Sequence, residues 1–388
     1  MKTVLNNLTL AVALFSLPAA AIAAGPKDYL PELQGRPGSS EMKSPGADNT
    51  QSEEALVSTV ESYLDSASRK GPYEDNIKAR LKAIDAIWSL GEIGDPKLMA
   101  SLTKFYSETD SVIKVNLIIS MGKLKKAANA GPYLSAIADS VDESEAVRAA
   151  AFEVLAEIGQ APKGGPVAPS KNISIEKGDI IFTGGIGGTL ASFGSSDLPI
   201  GHAGIFGGTE IKNGKINVMI MDCVPDSFNP GGVRNITSWK NFTHHFKFPF
   251  YGNRTTNPKP TAAQREKIVK MALAMGKLGL HYSDSHVSQK GPTDFDCVGY
   301  VEYLYEHVGL NPTDDSYETG LGWPLTPFEQ FMATTPNVLP QVPFAPKPAA
   351  VSAPSAAVYN TLNSLPAAFG LKGQLPDINS EVEPATAD

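Results

Sequence analysis

An apolar pair recurs through the first half of the chain. Ile87 and Leu90 stand in IKARLKAIDAIWSLGEIG, Ile118 and Met121 in VIKVNLIISMGKLKK, and Phe152 and Leu155 in VRAAAFEVLAEIG, at steps of 31 and 34 residues. Helical patterning at such a period, with shorter helical segments around 97–107 and 132–141, restricts the fold sharply. Each unit reads as an antiparallel helix pair that buries its apolar stripe only by stacking on its neighbours. The run Leu90-Gly91-Glu92-Ile93-Gly94-Asp95-Pro96 supports this reading: glycines end one helix, and Asp95 with Pro96 restarts the next. The helical region is expected over 51–160. No residue in it suggests chemistry, so its expected role is a scaffold or a docking surface for a protein partner.

The periodicity stops at Gln160. QAPKGGPVAPSKN reads as a linker over 161–173. A glycine-rich α+β texture follows over 174–335, with β-like runs at 179–183, 202–206 and 216–222 and helical patterns at 264–278 and 298–308. Beyond 336 the chain is rich in Pro and Ala and reads as an extended tail to 388, whereas 24–50 reads as a flexible leader. Lys2, the apolar run from Leu8 to Ala20 and the small-residue end Ala21-Ile22-Ala23 form a signal-peptide pattern over 1–23, with cleavage expected after Ala23. The apolar run is too short for a spanning helix. The mature protein is therefore expected to be exported, periplasmic or secreted, without a membrane span. A net charge of −8 leaves no basic footprint for nucleic acid.

Cys297 opens an amphipathic helix whose apolar face is Val298, Val301, Leu304, Tyr305 and Val308. A helix start favours thiolate over thiol through the dipole and the free amides of its first turn, and the Cys297 N–H is available to an oxyanion. A nucleophilic thiol also needs a base. Of the six histidines, His202 begins a strand, Gly201-His202-Ala203-Gly204-Ile205-Phe206, at the mouth of a Gly- and Pro-containing loop. His244 and His245 lie among aromatics, His281 and His286 in a polar turn, and His307 at a helix end that a cation would cap. No ligand spacing calls for a metal, and no cofactor is expected. The 184–188 glycine run lacks the Lys-Ser or Lys-Thr of a phosphate loop, and Asp314, Asp315 and Glu318 read as a solvated acidic turn. Export also makes a bridge between Cys223 and Cys297, the only two cysteines, the alternative to a catalytic Cys297.

The helix pairs resemble HEAT-like helical repeats, a generic helical bundle being the alternative. Farther along, Gly178-Asp179-Ile180-Ile181-Phe182, His202-Ala203-Gly204-Ile205, a strand ending in Asp222, and a Cys at a helix start resemble the circularly permuted branch of the NlpC-type papain-like cysteine hydrolases, the YiiX-like group. The Cys helix comes first in unpermuted relatives and last here. Leu325-Thr326-Pro327 is also similar to a segment of that group. The resemblance implies a multidomain chain, all-α HEAT-like repeats followed by an α+β permuted papain-like domain. It also implies Cys297 as nucleophile, His202 as general base and then acid, Asp222 as the residue that orients the imidazole, and Tyr282 and Asp296 on the substrate side. Val298 departs from the usual Ser of those relatives. If Asp222 faces the imidazole, strand alternation turns Cys223 away from the site and from Cys297. By resemblance the substrate is a cell-wall (peptidoglycan) peptide. The alternatives are an acyl-lipid or fatty-amide hydrolase or acyltransferase, or a non-catalytic binding protein acting through the repeats.

Overall fold

The computed structural model describes residues 51–65, 73–107, 109–124, 130–160, 167–185, 200–283, 289–313 and 325–337. The expected signal segment, the leader, 161–166 of the linker, 186–188 of the glycine run, His286, the acidic turn and the tail beyond 337 lie outside these residues.

The first half is helical. Helices α1 (Glu53–Leu64), α2 (Tyr73–Ile93), α3 (Met99–Ser107), α4 (Ser111–Lys123), α5 (Ala130–Asp139) and α6 (Glu145–Glu157) follow one another, with a 3-10 turn at Pro96–Leu98. Each recurrence of the apolar pair falls on a long helix, in α2, α4 and α6, and all six side chains are buried. Side-chain oxygens supply the helix starts. Asp110 accepts from the Val112 and Ile113 amides at 2.9 and 3.2 Å, Asp95 from Lys97, and Ser144 from Val147. Helix α4 packs between α2 and α6 and is buried from Ser111 to Met121, which forces its polar residues to find partners. Lys114 pairs with Glu143 at 2.7 Å, and Ser120 donates to the Ile87 carbonyl.

The second half is a mixed α+β assembly. Strands β1 (Ile180–Gly184), β2 (Ile200–Lys212), β3 (Lys215–Val224), β4 (Gly232–Ile236), β5 (Phe250–Thr255) and β8 (Thr335–Pro336) form one antiparallel sheet in the order β4-β3-β2-β1-β5-β8. A short parallel pair, β6 (His281–Tyr282) and β7 (Asp294–Phe295), stands apart. Helix α7 (Trp239–Phe242) links β4 to β5, and α8 (Ala262–Met275), α9 (Cys297–Glu306) and α10 (Pro327–Ala333) complete the chain. The expected strands at 202–206 and 216–222 are both longer than the sequence reading allowed. Asn213 and Gly214, at φ 53° and 68°, join them in a two-residue hairpin turn, the connection whose twist matches paired strands.

Helices cover both sheet faces. Phe206 stacks on Trp239, whose indole N–H donates to Ala146 of α6 at 2.9 Å, so α6 and α7 lie on the face that carries His202, Gly204 and Phe206. Phe182 meets Phe331 edge to face on the opposite side, where α9 and α10 pack. Helix α4 holds β5 as a neighbouring strand would: the Asn116 amide donates to the Phe250 carbonyl at 2.7 Å and accepts from the Phe250 N–H at 3.0 Å. The helical half and the sheet therefore share one apolar core. The sheet packs on α4 and α6 of the helical half. Among the described residues no helix is long and apolar enough to cross a membrane.

Two carboxyls cross this helix–sheet boundary. Asp85 accepts from the Tyr251 hydroxyl at 2.6 Å, and Glu153 accepts from Ser238 and from the Trp239 and Lys240 amides. Burial pushes each up to about 7, from ordinary values of 3.8 and 4.5, against the hydrogen bonds that favour the ionised forms. A carboxyl whose pKa is raised on folding adds stability below its unfolded pKa, and that stability is lost as pH rises through about 7. The melting temperature is thus expected to fall between pH 5 and pH 8, by about 2–4 °C for each kcal/mol lost. Thermal unfolding of wild type and Asp85→Asn across this range checks it; an unchanged profile in the variant contradicts the assignment to Asp85.

Candidate active site

The central row of the site follows from strand register. Gly204 of β2 lies opposite Asp222 of β3, and Asp222 lies opposite Arg234 of β4, so all three share one face. His202, two residues before Gly204, is on that same face. Its Nε2 meets Asp222 Oδ2 at 3.0 Å. Gly204 leaves space beside Asp222: a Cβ there would come within 3.2 Å of Asp222 Cβ and 3.1 Å of the Phe242 ring. Arg234 completes the row with a two-point contact to Asp222, Nε to Oδ1 at 2.7 Å and an Nη to Oδ2 at 3.0 Å. His202 is 1 % exposed and Asp222 0 %. Burial by itself would raise the Asp222 carboxyl, but Arg234 and the His202 bond hold it below the ordinary carboxylate range. Among the described residues the other imidazole nitrogen, Nδ1, makes no hydrogen bond.

Cys297 is the first residue of α9, as its sequence context predicts, with Asp296 as N-cap. The backbone N–H groups of Ala203 and Val298 favour its thiolate form, which sets the thiol near the residue that follows His202. No acceptor among the described residues meets the Cys297 N–H. The expected lowering of the thiol pKa is not what the structure gives. Burial, with the charge of Asp296 behind it, pushes the Cys297 thiol well above its ordinary value, and the two amides oppose this only in part. The reason is exposure. A helix start stabilises a thiolate by a fraction of the desolvation cost at a sulfur on a residue only 3 % exposed.

The remaining expected residues divide. Asp296 is buried and acts within the fold: one oxygen accepts from the Gly299 amide at 2.7 Å, and the Gln289 amide donates to the other. Tyr282 is buried on β6, its backbone N–H donating to Asp226, which also meets the exposed His281. Cys223 corrects part of the sequence argument. Alternation does place it on the face opposite Asp222, but α9 packs on that face. Cys223 therefore lies beneath the start of the Cys helix, its Sγ donating to the Phe295 carbonyl at 3.1 Å. Both cysteines are free thiols, and burial raises Cys223 well above its ordinary value. His307 is the C-cap of α9, its ring 2.7 Å from the Tyr303 carbonyl.

Sequence reading missed Arg234, Gln289 and Gly299. Gln289, fully buried, ties Asp296 to both the N–H and the carbonyl of Leu325, and Leu325 closes an apolar contact with Cys297 and Val298. Gly299 makes this possible, because a Cβ there would stand 1.9 Å from the Gln289 carbonyl oxygen. Alanine gains about 1 kcal/mol over glycine in a free helix. Gly299→Ala is nonetheless expected to lower stability by about 1–3 kcal/mol through forced displacement of that backbone. Urea unfolding measures it, and a stabilised variant would refute the close approach.

Among the described residues no cluster of three or more His, Cys, Asp or Glu could hold a metal ion. Comparison with known proteins finds no matching family model, curated protein or solved structure.

Proposed function

We propose that the chain is an exported cysteine hydrolase of the permuted NlpC-type papain-like class, carrying HEAT-like repeats, that cleaves an amide through an acyl-thioester at Cys297. One observation carries the reading: the amide of Ala203, the residue after His202, favours a thiolate at Cys297, and the His202 Nε2 is held by an ionised, Arg-paired Asp222. With Nε2 engaged, Nδ1 is the nitrogen left for the thiol. A buried thiol with a raised pKa attacks best as it loses its proton, so sulfur bonds to the carbonyl carbon while the proton passes to His202. The Cys297 N–H receives the developing oxyanion. Collapse of the tetrahedral adduct breaks the C–N bond, and His202 returns the proton to the leaving amine. Water, deprotonated by His202, then attacks the thioester and releases the acid and the thiol. Export supports a cell-wall peptide as substrate, with an acyl-lipid or fatty amide as the other class.

A non-catalytic binding protein is the second reading, and the burial of Cys297 favours it. Incubation with p-nitrophenyl acetate, followed by intact-protein mass spectrometry, separates the two. Acetyl transfer confined to Cys297 supports the hydrolase; its absence, with both thiols intact, leaves the binding protein.

A further inference from the structure

We propose that Glu153, on the helical half of the chain, is a positioning residue for the His202 imidazole; this rests on the hydrolase reading above. Glu153 of α6 gathers three donors at the start of α7: the Ser238 hydroxyl at 3.0 Å and the Trp239 and Lys240 amides at 2.9 and 2.8 Å. The same helix holds Trp239 a second time, through the indole N–H and the Ala146 carbonyl. Trp239 is wedged further between Phe206, at 6.2 Å between ring centroids, and Phe250, at 4.7 Å. These contacts fix where the single turn of α7 begins.

That turn ends at Phe242, whose ring lies 5.5 Å from the His202 ring and inclined to it by 46°. Phe242 occupies the room that Gly204 leaves open. The imidazole is therefore defined by two groups, Asp222 at Nε2 and Phe242 against its ring. Only the first belongs to the sheet. Just beyond, His244, His245 and Phe246 adopt φ of 52°, 59° and 57°, three consecutive non-glycine residues in the left-handed region. Such backbone persists only where its surroundings over-determine it. Glu153 anchors one end of this stretch, and the contacts of His244 with Phe228 and Phe248 hold the other. Lys240 is the charged neighbour of Glu153, while Asp222, backed by Arg234, is that of His202. Glu153 thus acts on the imidazole through Phe242. The helical layer becomes part of the site's construction.

The test uses the full chain with Glu153→Ala, Glu153→Gln and Phe242→Leu, and Tyr251→Phe as a variant of the same helix–sheet boundary, where the Tyr251 hydroxyl bonds Asp85 rather than α7. Two readouts are taken across pH: the rate of Cys297 acetylation by p-nitrophenyl acetate, and the imidazole resonances of His202, which the Phe242 ring current displaces. Glu153→Ala and Phe242→Leu are expected to slow acetylation about tenfold, below the roughly 100-fold that a 1 Å misplacement can cost, and to move the His202 resonances. Glu153→Gln, which keeps an acceptor, restores most of the rate. Tyr251→Phe lowers the melting temperature and moves neither readout. Wild-type rate and resonances in Glu153→Ala overturn the proposal. Should Glu153→Ala not fold, Glu153→Gln and Phe242→Leu decide it by the same readouts. If wild type shows no His202-dependent acetylation, the hydrolase reading fails, and the resonances alone still decide the positioning.

Discussion

Replacing His202 by Ala is expected to slow acetylation of Cys297 by about 10²–10⁴-fold, the range ascribed to a positioned general base, and Cys297→Ala to abolish it. The effect is large because the thiol has little reactivity to fall back on. Burial holds it protonated, and the Ala203 and Val298 amides offset only part of that cost. A surface cysteine of ordinary pKa would lose far less. Asp222→Asn is expected to approach His202→Ala in effect, since an amide at that position both weakens the hold on Nε2 and removes the charge that would balance an imidazolium. The measurement is the time course of a single acetyl adduct by intact mass, with the site located by peptide mapping. Equal rates in wild type and His202→Ala would sink the mechanism, whatever the substrate.

Arg234→Met is expected to cost about 3–5 kcal/mol of stability, the usual penalty for leaving one member of a buried ion pair without its partner. Asp222 is wholly enclosed and Arg234 nearly so, and the guanidinium contacts both carboxylate oxygens. In the variant, burial is opposed by His202 alone, so the carboxyl pKa rises. A carboxyl held low in the folded state contributes stability above its unfolded pKa of 3.8, lost as pH falls through the folded value. Removing Arg234 forfeits that contribution at neutral pH. Adding Asp222→Asn to Arg234→Met removes the stranded charge and should recover part of the loss, a non-additivity that urea unfolding of the four proteins resolves. A cost under about 1 kcal/mol for Arg234→Met would mean that the pair is solvated, contrary to the structure.

Much of the site was legible because its elements carry local signals. A cysteine placed before Val298, Val301 and Leu304 reads as a helix start, and His202 in Gly-His-Ala-Gly reads as a strand mouth. Asp222 was reachable only by resemblance. Arg234 carried no signal at all: Gly232-Val233-Arg234-Asn235-Ile236 is too short to show a period, and its value depends on lying opposite Asp222. Gln289 and Glu153 are similar cases, ordinary polar residues made important by what folding brings to them. The Asn213-Gly214 turn is a local signal of the same kind, and it joins β2 and β3 over their full length.

The sequence by itself determined the helices, since apolar spacing and capping residues act within a few positions. It likewise determined that Cys297 opens α9, and which strand residues share a face with His202, because alternation is a property of the backbone. Tertiary structure decided the remainder. It placed the helical half against the sheet as one core, where the sequence suggested a separate repeat surface, because the break at 161–173 says nothing about what packs across it. It put α9 on the Cys223 face, a choice that strand alternation leaves open. It also set the protonation of Cys297, because desolvation depends on everything around the sulfur, whereas the helix-start effect depends only on the chain beside it.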